Sequence, residues 1–352
     1  MFPVFYFVES QNLSYFDIDM MNKVLFVASR QFDYLQDLTY SGLVANLGQE
    51  HVIDYPWNKK YHLPLKSYPK NLGYTGFSLP RLSRFSMKDV STVVLGSAKK
   101  DALLHFEKLL PQINNKILVF IDGGDRPEIG GDFERLGLSK QYERIIQQRP
   151  FDIIFKREYF HSLHGGMSHV FPLPFSFPAN LHIATRDEAD KKYDVAFWGQ
   201  QKPAIREKVL RLLQDKYDCR ANGTTLEQDF NTYKRKGIFY LEELAACKIV
   251  LNFRGGGWDT MRYWEAVAAG SFMISQRPQI EIPNNFVEGE QLVFCDDSLD
   301  DLLQKIDYYL PRAEERRQMA TGAKAQLEKY HLNTKRAEYF LDCIHKHTNS
   351  NR

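Results

Sequence analysis

The sequence predicts an α/β protein built from two Rossmann-like, doubly wound domains that face each other across a cleft. Three observations carry this expectation. At 352 residues the chain exceeds what one hydrophobic core usually serves. Short β-rich apolar runs alternate with helical patterns. That alternation stops at a proline-rich stretch and then begins again.

Residues 1–20 read as an extension ahead of the core fold. Its opening, MFPVFYFV, is apolar, but eight residues without a basic flank and followed by Glu9 suit a surface-packed strand better than a signal peptide or a membrane span. The first domain is expected over 21–180. Buried parallel strands are read at KVLFVA from Lys23, HVIDY at 51–55, VSTVVLG from Val90, KILVFIDGG from Lys116 and FDIIFKRE from Phe151. Helical patterns lie between them at 101–110 and 138–148. The segment FPLPFSFP, 171–178, holds three prolines that oppose helix and stiffen the chain, as an inter-domain connector requires. A second series follows over 181–330: strand DVAFWGQ, helix AIREKVLRLLQDK, strand YDCRANG, a loop to Tyr240, helix LEELAACK and strand IVLNF. The tail from Pro311 to His347 is helical in pattern, and 331–352 is expected to pack back across the domains.

Composition narrows the function classes. Hydrophobic residues make up 43% and charged residues 26%, the range of an ordinary globular protein. Lysine and arginine total 46 against 44 acids, a balance that gives no bulk charge for binding nucleic acid. Cys219, Cys247, Cys295 and Cys343 are widely spaced, as free thiols in a reducing compartment would be, which favours the cytoplasm.

The chemistry concentrates in residues 248–275, KIVLNFRGGGWDTMRYWEAVAAGSFMIS, which read as strand, glycine loop, helix, glycine stop and strand. Gly255, Gly256 and Gly257 let backbone approach a ligand, and the N-terminus of a helix starting near Asp259 or Thr260 offers unpaired N–H groups to a diphosphate. Arg262 lies in the first turn, where a cation opposes the helix dipole and calls for an anionic partner. Glu265, on the same face, can accept hydrogen bonds from both hydroxyls of a ribose. Ala266 and Ala269 continue that face. The plain alternative is an Arg262–Glu265 pair on a solvated helix.

This stretch resembles the donor-binding segment of GT-B glycosyltransferases, especially exostosin-like and bacterial group 1 members. The resemblance runs over about residues 190–345 and is carried by Arg262, Glu265, Ala266, Ala269 and Gly270, preceded by LEELAACKIVLNF. It implies that the arginine neutralises the donor diphosphate and the glutamate holds the nucleotide ribose. Retaining members often place a second glutamate eight residues before the first; here that position is Gly257, so inversion is favoured. The resemblance also implies no essential metal or cofactor. It points to a nucleotide-sugar donor and to a glycan, lipid-linked glycan or protein acceptor in glycan or surface-polysaccharide synthesis; peripheral contact with a membrane-held acceptor at the inner face of a membrane is compatible with the basic tail.

Other donor-side candidates are Gly199 after the first strand of the second domain, nearby Lys202 and Arg206, then Tyr240, Arg254 and Thr260. An inverting transfer needs a base from the N-terminal side of the cleft. Asp125 is the first candidate, with Asp122 beside it on the same strand end and Glu158 on the next. Arg157, His161 and His164 are read as acceptor-binding.

Competing classes fare less well. His161, His164 and His169 form no HExxH motif, and Asp17 and Asp19 lie in the extension. No GxGxxG follows the first strand, where Ala28, Ser29 and Arg30 occupy the turn, which disfavours a dinucleotide oxidoreductase. A non-catalytic sugar-nucleotide or glycan-binding module and a nucleotide-polyol phosphotransferase remain as alternatives.

Overall fold

The computed structural model describes residues 23–79, 86–218 and 237–350. The extension 1–20, with Asp17 and Asp19, and most of the strand expected from Tyr217, with Cys219, lie outside the described residues.

The N-terminal domain is a sheet of six strands: β1 (Lys23–Val27), β2 (Val52–Tyr55), β3 (Val90–Leu95), β4 (Ile117–Asp122), β5 (Ile153–Lys156) and β6 (Val170–Pro172). Their order is β2-β1-β3-β4-β5-β6, and every pairing is parallel. Side chains alternate faces along a strand, so Val24 and Phe26 enter one core while Leu25 and Val27 enter another. Both faces are therefore covered, as uninterrupted apolar strands require. The helices are α1 (Tyr34–Leu47), α2 (Lys59–His62), α3 (Lys100–Leu109), α4 (Gly131–Arg135), α5 (Ser139–Gln148) and α6 (His161–His164). Asp33 caps α1 by accepting from the Gln36 N–H at 3.1 Å.

The C-terminal domain carries β7 (Tyr193–Ala196), β8 (Cys247–Asn252), β9 (Phe272–Gln276) and β10 (Val293–Cys295) in the order β10-β9-β8-β7, again parallel. Around it lie α7 (Ala204–Leu213), α8 (Ile238–Ala245), α9 (Met261–Ala268), α10 (Leu302–Tyr309) and α11 (Ala313–Tyr330). Helix α8 starts three residues earlier than the sequence reading placed it, so Tyr240 lies in its first turn and not in a preceding loop. Cys247, Cys295 and Cys343 are buried thiols.

The tail is two helices, broken at His331 and Leu332. Helix α11 stays on the C-terminal domain, whereas α12 (Asn333–Ser350) crosses to the N-terminal domain and lies along α1. Gly42 makes the approach possible, because a Cβ there would collide with the Asn333 carbonyl. Phe340 stacks on Phe155 with ring centroids 4.3 Å apart. The outgoing connector and the returning chain are tied to each other: Phe177 N–H donates to His331 O at 2.9 Å, and Asn333 N–H donates to Phe177 O at 2.8 Å.

At this double crossing the His331 ring is fully buried, with Nδ1 facing Arg336 Nη2 at 2.8 Å and Nε2 facing Asn284 O at 2.9 Å. The arginine can only donate, so Nδ1 accepts, Nε2 carries the proton and the ring is neutral. Burial, then the Arg336 charge, push its pKa from 6.5 down to about 3. The unfolded chain therefore binds the extra proton first. Stability from this group is complete above about pH 6.5 and declines as pH falls towards 3, by up to about 1.4 kcal/mol per unit. Urea titrations between pH 7 and 4 should show that component of the slope vanish in His331→Gln.

Candidate active site in the inter-domain cleft

A cleft of about 970 Å³ separates the domains. The C-terminal domain supplies Gly199, Gln200, Arg206, Gly237, Tyr240, Thr260, Met261, Arg262 and Glu265 to its wall; the N-terminal domain supplies Tyr34, the loop Leu65–Lys70, Arg157 and Phe175.

Arg206 reaches the cleft from α7 and Arg262 from the first turn of α9, each 8% exposed. Neutral oxygens hold them in place. Arg206 donates through Nε to Arg254 O at 2.8 Å and through Nη2 to Phe253 O at 3.1 Å. Arg262 donates to Asn252 Oδ1 at 3.4 Å, an oxygen that also accepts from Thr260 Oγ1 at 2.8 Å. Both guanidinium carbons lie over the Phe197 ring, at 5.9 and 5.0 Å from its centroid. Among the described residues neither arginine has an ion-pair partner. Burial, then the neighbouring Arg262 cation, pull the Arg206 pKa below the usual guanidinium range. Gly199 keeps their shared side open, since a Cβ there would sit 2.8 Å from Arg262 Nη2 and 3.4 Å from Arg206 Nη1.

Glu265 is 4% exposed and does not pair with Arg262. One carboxylate oxygen accepts from the Tyr68 hydroxyl and the other from the Tyr240 hydroxyl, the latter at 3.0 Å. Burial raises its pKa against the opposing pull of these bonds and of Arg262. Tyr68 belongs to the N-terminal domain and escaped the sequence reading, as did Tyr34, Lys66 and Lys70. The KSYPK run showed only an aromatic between lysines, with no periodicity to place it at a cleft.

The glycine loop differs from expectation. Asp125 stands against Gly256 and Glu158 against Gly257, so closely that a Cβ at either glycine would collide with the carboxylate. Glycine is needed here because the other domain presses on the loop, and negative charge sits where a diphosphate was expected. Glu158 accepts from the Trp258 N–H at 2.8 Å and the Asp259 N–H at 3.2 Å, with Arg157 Nε 3.3 Å away. Arg157 also pairs with Asp125. Asp259 in turn accepts from the Phe175 N–H at 2.5 Å and from Trp264 Nε1 at 2.9 Å.

The remaining sequence candidates divide clearly. Asp122 has no exposure: it accepts from Lys156 Nζ at 2.9 Å and the Gly130 N–H at 2.8 Å, and so serves the fold and not the cleft. Glu158 is likewise buried and engaged, while the Asp125 side chain is 56% exposed. His164 is buried, its Nδ1 accepting from the Phe160 N–H and its Nε2 facing Pro127 O, both at 3.0 Å, and burial lowers its pKa. His161 projects into solvent 3.4 Å from Glu281. Neither histidine lines the cleft. Lys202 is exposed and off its wall, and Arg254 lies over the Trp258 ring at 4.5 Å.

Residues 188–342 match the glycosyl transferase-like family. The C-terminal half of the chain is thus similar to a glycosyltransferase domain. Solved structures extend the likeness to both domains as GT-B architecture. The chain is similar to sucrose-phosphate synthase of Thermosynechococcus elongatus, with a TM-score of 0.52, 10% identity and coverage of 93% of this chain and 99% of that one. It is also similar to Anabaena HepE in complex with UDP and glucose, with a TM-score of 0.56, 9% identity and coverage of 92% and 99%. No curated protein matches it in sequence. Among the described residues, no group of three His, Cys, Asp or Glu side chains is arranged to hold a metal ion, and no helix is long and apolar enough to cross a membrane.

If Glu158 serves the interface, Glu158→Gln puts a donor in place of one of the two oxygens that accept from the Trp258 and Asp259 N–H groups and removes a counter-charge from Arg157. Urea unfolding should show a loss of about 2–4 kcal/mol. Unchanged stability combined with lost sugar transfer would instead make Glu158 a base.

Proposed function

We propose that the protein transfers a sugar from a nucleoside diphosphate donor to an acceptor hydroxyl, with inversion and without a metal ion. The observation that carries this reading is the pair Arg206 and Arg262, two buried cations without an acid between them, converging beside Gly199 at the N-terminal end of α9. A diphosphate supplies the missing negative charge. As the glycosidic bond breaks, charge grows on the leaving phosphate, and fixed guanidinium groups in a site shielded from water stabilise it without reorganising. That is the role a divalent cation would otherwise fill. Glu265 is placed to take the ribose hydroxyls in exchange for those of Tyr68 and Tyr240.

The base is assigned to Asp125, since Asp122 and Glu158 are committed to buried partners. Asp125 is half-exposed on the N-terminal side, and Arg157, which lines the cleft, fixes its carboxylate. UDP is the first nucleotide to test, because HepE has been solved with it. The acceptor is a glycan, free, lipid-linked or on protein, reached from the cytoplasm at the inner face of a membrane.

Calorimetry with UDP, GDP, CDP and dTDP should find one nucleotide that binds, and Arg262→Ala should weaken it by about 10- to 100-fold. No binding by any of the four would defeat the donor assignment. Asp125→Asn should keep nucleotide affinity and abolish transfer. Proton NMR of the product should show the inverted anomer; retention would remove the need for Asp125 as base.

A further inference from the structure

A second, smaller pocket of about 390 Å³ adjoins the cleft on the N-terminal side. It opens at the carboxyl ends of β1 and β2, where Arg30 follows the first strand and Trp57 the second, the edge at which parallel sheets bind ligands. Leu65, Lys66 and Lys70 line both it and the cleft, so the two spaces are continuous.

Its wall carries Arg30, Lys59, Lys60, Lys66 and Lys70, and no acid is among the lining residues. Lys60 is matched by Asp37 at 2.7 Å. Asp101 approaches Arg30, accepting from its backbone N–H at 2.8 Å. Even with Asp101 counted against Arg30, Lys59, Lys66 and Lys70 remain unmatched, and none forms an ion pair among the described residues. The whole chain carries a formal charge of only +2, so this is a local concentration and not general basicity. Cations crowded around one concavity repel each other, and an anion bound between them relieves that repulsion. Trp57 adds an aromatic wall, and its buried Nε1–H has no acceptor among the described residues.

We propose that this side pocket is an anion subsite for the acceptor. It takes a carboxylate or phosphate group carried on a glycan whose reacting hydroxyl sits in the neighbouring cleft. The assignment rests on the transferase reading above, in which the donor's own charge is met from the opposite domain by Arg206 and Arg262.

Calorimetry in saturating UDP would compare tetragalacturonate, a ribitol-phosphate tetramer and neutral cellotetraose. At least one charged probe should bind, and cellotetraose should not. The carboxylate and phosphate arms tell the two sources of charge apart. Affinity should fall as salt rises, and the double variant Arg30→Gln, Lys59→Gln should lower it about tenfold or more. UDP affinity and melting temperature should stay unchanged. The matched control Lys108→Gln, Lys140→Gln removes two exposed lysines elsewhere and should have no effect. The subsite is overturned if neither charged probe binds while UDP does, if the double variant binds them as well as the wild type, or if cellotetraose binds equally tightly. Failure of UDP to bind the wild type is a separate result and counts against the donor site.

Discussion

The acceptance of two backbone N–H groups by Glu158 organises the molecule. The carboxylate leaves the end of β5 and takes the amides of Trp258 and Asp259, which belong to the other domain and lead directly into α9. A buried charge of this kind is tolerable only when its partners are complete, and Arg157 completes them. Asp259 repeats the device in the opposite direction by accepting from Phe175 on the connector. Two carboxylates and one guanidinium thus fix the direction of the helix that carries Arg262 and Glu265. The side chains at the cleft inherit their positions from an interface several residues away.

That arrangement divides charge across the cleft. Around Gly256 and Gly257 the N-terminal domain contributes acids, which would repel a phosphate. Around Gly199 the C-terminal domain contributes cations held only by neutral oxygens. The cleft wall itself includes Arg206 and Arg262 but neither of these acids, so an anion in the cleft is met at the Gly199 side and not at the glycine loop. Phe197 beneath both guanidinium groups gives them an apolar floor that attracts cations through its ring face and does not neutralise them.

Much of this was legible from sequence, and for identifiable reasons. Strand patterns such as KVLFVA and KILVFIDGG report burial on both faces, and the prolines of 171–178 report where helix cannot continue. Arg262 in a helix's first turn breaks a local electrostatic rule, and that breach pointed to an anion. The glycine loop misled because flexibility has two uses: approach to a ligand and approach to another domain look alike in sequence. Asp122 misled for a related reason, since a carboxylate after a buried strand can face a cleft or, as with Lys156, balance a buried charge. Tyr68 stayed hidden because its partner is 197 residues away, and no spacing encodes such a contact. The boundary at residue 331 was legible in the sequence, whereas the packing of the following helix along α1 shows only in three dimensions.

Helix α12 means that the domains are not finished in the order in which they are written. Residues 333–350 cover α1, so a chain emerging from the ribosome presents the first sheet with one layer missing until the second domain has been made. The apolar side of α1 must wait through that interval. Folding of the first domain is thereby coupled to contacts of very long sequence separation, which slow assembly. Cutting the chain at the connector would leave the first body without the helix that covers α1.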